Sequence, residues 1–195
     1  KPRFAGITGI DTQLTKNLSL AAHCVVSGGV IAYPTEFCFG LGCDPLNQAA
    51  VRRVLAVKRR SWRQGLIVIA DHPLRLRGLV DMADPQLLGG PLASWPGPYT
   101  WLLPARPSTP TWLRGQHNTV AVRVSAHPLV QKLCHESGTA LVSTSANSSG
   151  RPPLRRGPAV LAQFGNQIDC ILDGHVGVAM GPSTITDAAT NRILR

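Results

Sequence analysis

The chain has 195 residues, 44% of them hydrophobic, which is enough for one sizeable domain with its own core. No apolar run approaches the roughly 20 residues of a membrane helix, and the polar N-terminal stretch lacks the pattern of a signal peptide. Lysine and arginine total 20 against 10 acidic residues, a net charge of +10, and sixteen of these cations are arginines. The excess indicates a polyanionic partner, either a nucleotide or nucleic acid, unless it is simply a soluble cationic surface.

The five cysteines include no C-x-x-C pair. Their odd number and scattered positions favour reduced thiols in a cytoplasmic protein over a disulfide framework or a zinc site. The first residue is Lys1 rather than methionine, so residues 1–11 are interpreted as an N-terminal extension or a cloning remnant. Residues 12–195 are expected to form a single domain.

Hydrophobic periodicity and turn residues predict alternating helices and strands. In chain order we expect a helix over residues 12–29, a strand over 30–33, a helix over 44–60, a strand over 65–70, a helix over 72–82, strands over 99–105 and 119–124, a helix over 127–138, a strand over 140–143, a helix over 157–165, a strand over 168–174 and a strand pair over 183–195. The strongest helix should be capped by Asp44, with Pro45 in its first turn. The predicted class is therefore α/β: a single-domain, open, twisted mixed sheet with flanking helices.

Four cations fall within six residues at the end of the strongest predicted helix, in the segment KRRSWRQG from Lys58 to Gly65. The negative C-terminal end of a helix accounts for one or two of them. The surplus indicates contact with phosphate groups.

Three further segments lie at predicted strand ends or inside a strand. YPTEFCFGLGCD, residues 33–44, is interpreted as a glycine-punctuated loop, either a tight connection or backbone that approaches a ligand. STSANSSG, residues 143–150, is either a plain turn or a wrap around an anion, and GPSTITD, residues 181–187, is a second hydroxyl cluster. Arg123, inside the apolar strand TVAVRV, should meet an anionic group of either the protein or a ligand.

Several catalytic signatures are absent from the sequence: G-x-x-x-x-G-K-[ST], G-x-S-x-G and H-E-x-x-H. The ten acidic residues form no obvious carboxylate pair, and the six histidines lack metal-ligand spacing. An enzyme of this composition should therefore act mainly by positioning its substrates and by stabilising charge.

Six segments in register resemble the YrdC family, the threonylcarbamoyl-AMP synthases, over about residues 15–195. These segments are YPTEFCFGLG, KRR, PGPYT, AVRV, SANSSG and STITD. The chain is similar to the short bacterial form of the family. The resemblance implies a YrdC-like fold, related to that of dihydroxybutanone-phosphate synthase, around a large positively charged cavity.

Members of that family condense L-threonine, bicarbonate and ATP into threonylcarbamoyl-adenylate and release pyrophosphate, for the modification of tRNA beside the anticodon. The resemblance thus implies a cytoplasmic nucleotidyltransferase that uses Mg²⁺ with ATP, needs no organic cofactor, no protein metal site and no membrane, and works with TsaB, TsaD and TsaE. The alternative that stays open is a non-catalytic module that binds double-stranded RNA or tRNA through its basic surface.

Carried over by position, the resemblance implies two sets of ligand-binding residues. Lys58 and Arg60 are the expected electrostatic stabilisers of the reaction, and no other catalytic residue is assigned. The residues expected to contact ATP are Lys58, Arg60, Gln64, Thr119, Ser145, Asn147 and Arg195. The residues expected to contact threonine are Thr35, Arg123, Ser143 and Ser183.

Overall fold

Nine strands and six α-helices make up residues 12–195, the part of the chain that this computed structural model describes. The predicted extension or cloning remnant at residues 1–11 lies outside the described residues. The strands are β1 (Gln13–Thr15), β2 (Ile31–Pro34), β3 (Phe39–Gly42), β4 (Ile67–Ala70), β5 (Tyr99–Pro104), β6 (Thr119–Val124), β7 (Leu141–Ser145), β8 (Cys170–Leu172) and β9 (Thr184–Asp187). The helices are α1 (Leu18–Val26), α2 (Gln48–Lys58), α3 (Pro85–Ser94), α4 (Thr111–Arg114), α5 (Pro128–Ser137) and α6 (Gly157–Phe164).

The strands form one mixed sheet in the order β1-β8-β2-β3-β7-β4-β6-β5-β9. β8 runs parallel to β1 and β2, β4 runs parallel to β6, and β5 runs parallel to β9. The pairs β2–β3, β3–β7, β4–β7 and β5–β6 are antiparallel. The α/β class with a mixed sheet and flanking helices, predicted from the sequence, is confirmed.

Alternation along the central strands separates the two faces of the sheet. In β6, Val120, Val122 and Val124 join the larger core, so Thr119 and Arg123 point to the opposite face. Buried residues of α2 and α6 belong to the larger core, and those of α1 and α5 belong to a smaller core on the opposite face. The smaller core covers only part of its face of the sheet, the second face. Beside this core, the second face carries polar side chains in place of a packed helix.

The N-terminus of α2 corrects the sequence prediction. The helix begins at Gln48, and the Asn47 side chain is its cap, because Asn47 Oδ1 accepts a hydrogen bond from Ala50 N at 3.0 Å. Asp44, the predicted cap, instead accepts from Leu46 N at 2.9 Å in a local turn before the helix.

Two predicted boundaries in the first quarter of the chain are wrong. The predicted helix over residues 12–29 contains the short strand β1 before α1, and the predicted loop over residues 33–44 contains β3, which pairs with β2. A Cβ atom at Gly42 would lie 1.8 Å from the Val142 carbonyl oxygen. Glycine is therefore required for β3 to approach β7 this closely.

The predicted helix over residues 72–82 is reduced to one 3₁₀ turn, Pro73–Leu76. The predicted strand pair at the C-terminus consists of β9 and an antiparallel bridge between Thr186 and Ile193. Asn191 makes the turn between them with a φ of 56°, a backbone conformation that asparagine tolerates.

Among the helices of residues 12–195, none has the length and apolar character required to cross a membrane. The five cysteines are free thiols, and four of them are buried.

Candidate functional site

A cavity of about 700 Å³ opens on the second face of the sheet, within the range of volumes that hold small-molecule ligands. Its floor comes from β3, β4, β6 and β7, and its walls come from the loop after β2, the loop before β9 and the C-terminal residues. The loops that form these walls enclose a concave site, which is the shape in which proteins bind small-molecule ligands.

The strand register builds the floor of the cavity from neighbouring side chains. Thr119, Ala121 and Arg123 alternate with the core valines of β6, and all three line the cavity. Ile67 of β4 lies beside Ala121 on one side and Ser143 on the other. The floor is therefore mainly apolar at its centre and carries polar groups on either side of it.

Lys58, at the end of α2, is tied to the segment that follows β7. Its Nζ donates to the carbonyl oxygens of Ser145 and Asn147, each at 2.6 Å, and to Asn147 Oδ1 at 2.7 Å. Ser145 Oγ also donates to Asn147 Oδ1 at 2.7 Å. Burial, together with the positive charge of Arg60, lowers the pKa of Lys58 to about 8.

Two arginines add positive charge to the same cavity. Arg60 donates from Nη2 to the Gly65 carbonyl at 2.9 Å, and Arg195 donates to the Ser183 carbonyl. Burial lowers the pKa of Arg60, and the charge of Arg195 lowers it further. The pKa of Arg195 is lowered by burial and then by the charge of Arg123. These cations repel one another, so an anion in the cavity would relieve an existing electrostatic cost.

Arg123 is paired with Glu36, the only acidic residue among those lining the cavity in the described part of the chain. Arg123 Nη1 lies 2.9 Å from Glu36 Oε2, and their side chains are only 8% and 12% exposed. The sequence predicts an anionic partner for this strand arginine and leaves open whether it is a protein or a ligand carboxylate. The structure provides the protein carboxylate, and among residues 12–195 the Arg123 Nε atom is buried and has no hydrogen-bond partner.

The three hydroxyl groups predicted to contact threonine lie in the cavity wall or floor. Thr35 Oγ1 donates to the Cys38 carbonyl at 2.7 Å, and the Ser183 and Thr100 hydroxyls lie 2.7 Å apart. Ser143 is buried in β7 beneath the cavity. The hydroxyls of Thr35 and Ser183 are held in place by these contacts, which is the pre-organisation that a binding site needs.

Ten of the eleven side chains that the sequence assigns to ligands line this cavity, although they come from six separate segments of the chain. These ten are Thr35, Arg60, Gln64, Thr119, Arg123, Ser143, Ser145, Asn147, Ser183 and Arg195. Lys58, the eleventh, does not line the cavity but bonds to Ser145 and Asn147, which do. The structure thus brings the two predicted sets together, while their ligand roles stay predictions.

Sequence reasoning did not assign a role to several residues of the cavity. The YPTE segment, in which Glu36 follows Thr35, is a motif that could have marked Glu36 as a site residue. Its pairing with Arg123 joins residues 87 positions apart, so no local pattern indicated it. Arg114 and His117 line the cavity without any local pattern that marks them. Phe37 also lines it, and Arg155 lies over the Phe37 ring at 5.3 Å from the centroid.

The sheet and its cation-lined cavity define a class: a single-domain α/β protein with a concave site on one sheet face. The chain belongs to the Sua5/YciO/YrdC family, whose model, described as telomere recombination, matches residues 23–195. A Vibrio cholerae relative named threonylcarbamoyl-AMP synthase is 50% identical over 184 residues, covering 93% of this chain and 98% of that protein. A Coxiella burnetii relative of the same name is 45% identical over 181 residues, covering 93% and 97%. The family predicted from the sequence motifs is confirmed.

Solved structures show the same fold. Sua5 of P. abyssi, complexed with L-threonine, superposes with a TM-score of 0.85 at 30% identity and covers 96% of this chain. This chain spans 57% of that protein's length. YciO of E. coli superposes with a TM-score of 0.74 at 24% identity, covering 93% of this chain and 90% of that one, and supports the fold alone.

Proposed function

We propose that this protein is an L-threonylcarbamoyladenylate synthase, a nucleotidyltransferase that condenses L-threonine, bicarbonate and ATP and releases pyrophosphate. The observation that carries the proposal is that one cavity is lined by residues expected to contact two different ligands. The names of the relatives from V. cholerae and C. burnetii, which match almost end to end, support the same reaction.

Threonine would bind against the Arg123 end of β6. The Arg123 guanidinium would hold its carboxylate, and the hydroxyls of Thr35, Ser143 and Ser183 would surround it. The apolar floor at Ile67 offers the threonine methyl group a surface that serine would leave uncovered. Serine should accordingly be a poor substrate.

ATP would place its phosphates against the cations. Arg60, Ser145 and Asn147 would contact the phosphate groups, and Lys58 would do so by exchanging one of its three hydrogen bonds to Ser145 and Asn147 for a phosphate oxygen. Arg195 would add a further positive charge. The remaining residues proposed to contact the nucleotide are Gln64 and Thr119. ATP would enter as its magnesium complex, with the metal on phosphate oxygens, since no cluster of three or more His, Cys, Asp or Glu occurs within residues 12–195 to bind a metal ion.

The reaction would proceed in two steps. The threonine amine adds to the carbon of bicarbonate, a proton leaves the nitrogen and water leaves the carbon, which gives a carbamate. A carbamate oxygen then attacks the α-phosphorus of ATP, and the bond from that phosphorus to pyrophosphate breaks. Lys58 and Arg60 would stabilise the charge that develops on the leaving pyrophosphate oxygens.

The product would serve the modification of tRNA beside the anticodon, in the cytoplasm. A mixed anhydride of a carbamate and AMP is reactive towards water, so a separate transfer reaction must use it promptly. We propose that TsaB, TsaD and TsaE carry out that transfer. The net charge of +10 also supports an affinity for tRNA or double-stranded RNA, as an accompaniment to catalysis rather than a replacement for it.

The test is pyrophosphate release with ATP, bicarbonate and L-threonine, each omitted in turn. We expect release only with all three, together with a product of the mass of threonylcarbamoyl-adenylate. Arg60→Ala should lower turnover by about 10²–10³-fold, while Arg77→Ala, an exposed arginine that does not line the cavity, is the matched control. Release independent of threonine would refute the proposal, and salt-sensitive RNA binding without turnover would favour the non-catalytic module.

A further inference from the structure

The Glu36 carboxylate is held by three hydrogen bonds. Its Oε2 accepts from Arg123 Nη1 at 2.9 Å, and its Oε1 accepts from Ser125 Oγ at 2.9 Å and from Ala126 N at 3.0 Å. Ser125 and Ala126 follow β6 directly, so the carboxylate is fixed relative to the strand that carries Arg123. Both carboxylate oxygens of Glu36 are therefore engaged as acceptors.

The guanidinium of Arg123 uses one of its edges to bond to Glu36. Nη1 lies on the Cδ side of the group, so a bond from Nη1 to Glu36 leaves the opposite edge, formed by Nε and Nη2. Within residues 12–195, Nε is buried and has no hydrogen-bond partner. Buried donors without partners are rare in proteins, and Nε with Nη2 is a pair of donors that a carboxylate accepts in bidentate form.

The backbone that carries Glu36 is fixed from the other side by the loop before β9. Gly177 N donates to the Thr35 carbonyl at 2.9 Å, and Ala179 N donates to the Glu36 carbonyl at 3.0 Å. A Cβ atom at Gly177 would lie 2.8 Å from the Glu36 carbonyl oxygen, so the two segments are in close contact. Both the backbone and the carboxylate of Glu36 are therefore pre-organised.

Nearby charge makes this restraint necessary. Arg195 lies close enough to Arg123 for the charge of Arg123 to lower the pKa of Arg195, so the two side chains repel each other. Without Glu36, a flexible arginine in a cavity containing Arg60 and Arg195 would move towards any phosphate or away from its neighbours. Glu36 neutralises one positive charge and fixes the side-chain orientation.

We infer that Glu36 is a positioning residue that holds Arg123 by Nη1 so that the Nε–Nη2 edge receives the carboxylate of the amino-acid substrate. This inference rests on the proposed function, because that function supplies the amino acid. Glu36 acts through Arg123 and not on the reacting atoms. Its loss should therefore weaken threonine binding and leave the ATP-binding cations unaffected.

The experiment compares the native chain with Glu36→Gln, which has nearly the same shape without the charge, and with Glu136→Gln, an exposed control on α5. L-threonine affinity is measured by calorimetry without ATP, and KM and kcat by pyrophosphate release. Glu36→Gln should raise the dissociation constant and KM for threonine at least about tenfold, with kcat and the KM for ATP changed less than about threefold. For the native chain, the dissociation constant of threonine amide should be far larger than that of threonine. For Glu36→Gln, the ratio of these two dissociation constants should be smaller.

Ser125→Ala removes one hydrogen bond to Glu36 while keeping the ion pair, and it provides a milder test if Glu36→Gln does not fold. It should raise the threonine dissociation constant by about threefold with ATP affinity unchanged. Unchanged threonine affinity in these variants, or equal losses for threonine and ATP, overturns the role of Glu36 while native activity stands. If the native enzyme is active but binds threonine amide as tightly as threonine, the inference is overturned. If the native chain binds no threonine, the proposed function is overturned as well.

Discussion

Proton uptake on ATP binding should follow from the environment of Lys58. Burial and the neighbouring charge of Arg60 lower the pKa of Lys58 to about 8. The phosphates proposed to lie against it carry the opposite charge and should raise that pKa, because a nearby anion favours the ammonium form. A lysine whose pKa is higher in the complex than in the free protein takes up a proton on binding at any pH between the two values, and none well below the lower value.

The expected magnitude depends on the pH chosen. With a pKa of about 8, free Lys58 is about 90% protonated at pH 7 and about 10% protonated at pH 9. If the complex restores the ordinary value of 10.5, binding takes up about 0.1 proton at pH 7 and about 0.9 proton at pH 9. ATP affinity should then fall above pH 8 by up to about tenfold per pH unit.

Calorimetry of ATP binding in two buffers of different ionisation enthalpy measures this uptake directly. Lys58→Arg is the matched control, because a guanidinium stays protonated at pH 9 and the ionisation of the nucleotide cancels between the two proteins. The native chain should take up about 0.9 proton more than the Lys58→Arg variant at pH 9 and about the same number at pH 7. Equal uptake by the two proteins at pH 9 would show that Lys58 does not bind the phosphates.

Two stability predictions concern the elements that hold the site. Gly42→Ala should lower the free energy of unfolding by about 3 kcal/mol, because the added Cβ would lie 1.8 Å from the Val142 carbonyl oxygen. The control Gly89→Ala, on an exposed face of α3 with no atom within 4 Å of the added Cβ, should raise it by about 0.5–1 kcal/mol. Urea denaturation measures the free energy of unfolding of both variants. If the two substitutions change it in the same direction, the close contact between Gly42 and Val142 is contradicted. Asn47→Ala should cost about 1 kcal/mol in the same assay through loss of the hydrogen bond to Ala50 N, and a cost near zero would contradict Asn47 as the cap of α2.

Elements with ordinary local patterning could be predicted from the sequence. α5 begins with Pro128 in its first turn, buries Val130 and Leu133 at helical spacing, and ends before Gly138 at a φ of 71°. Each of these signals is local, so the prediction of this helix is confirmed. The apolar strand β4 is confirmed for the same reason.

Elements decided by distant contacts could not be predicted in this way. β3 reads FGLG, and glycine ordinarily weakens a strand. Here a Cβ atom at Gly40 would be in tight contact with Ser143 Oγ at 3.2 Å, and one at Gly42 would lie 1.8 Å from the Val142 carbonyl oxygen, so the neighbouring strand selects glycine at Gly42. Similarly, Leu76 and Val80 are buried at a helix-like spacing, although a 3₁₀ turn ends at Leu76 and only a hydrogen-bonded turn joins the two residues.

The candidate site likewise has a part that could be predicted from the sequence and a part that depends on distant contacts. Motifs marked residue types at strand ends, and the fold brought ten of the eleven to one cavity. The pairing of Glu36 with Arg123 was not predicted, because it joins a loop after β2 to β6 across 87 positions. A motif identifies which groups are present, but which of them neutralise one another depends on the tertiary structure.

The cations proposed to bind ATP and the arginine proposed to bind threonine differ in how their charge is neutralised by the protein. Within residues 12–195, Arg123 has a carboxylate of its own, whereas Lys58, Arg60 and Arg195 donate to neutral oxygen atoms and have a lowered pKa. A neutralised arginine suits an amino acid, whose own charges sum to zero. Three unneutralised cations suit a polyphosphate, which brings several negative charges and removes their mutual repulsion. The fold therefore distributes its positive charge according to the charge that each proposed ligand carries.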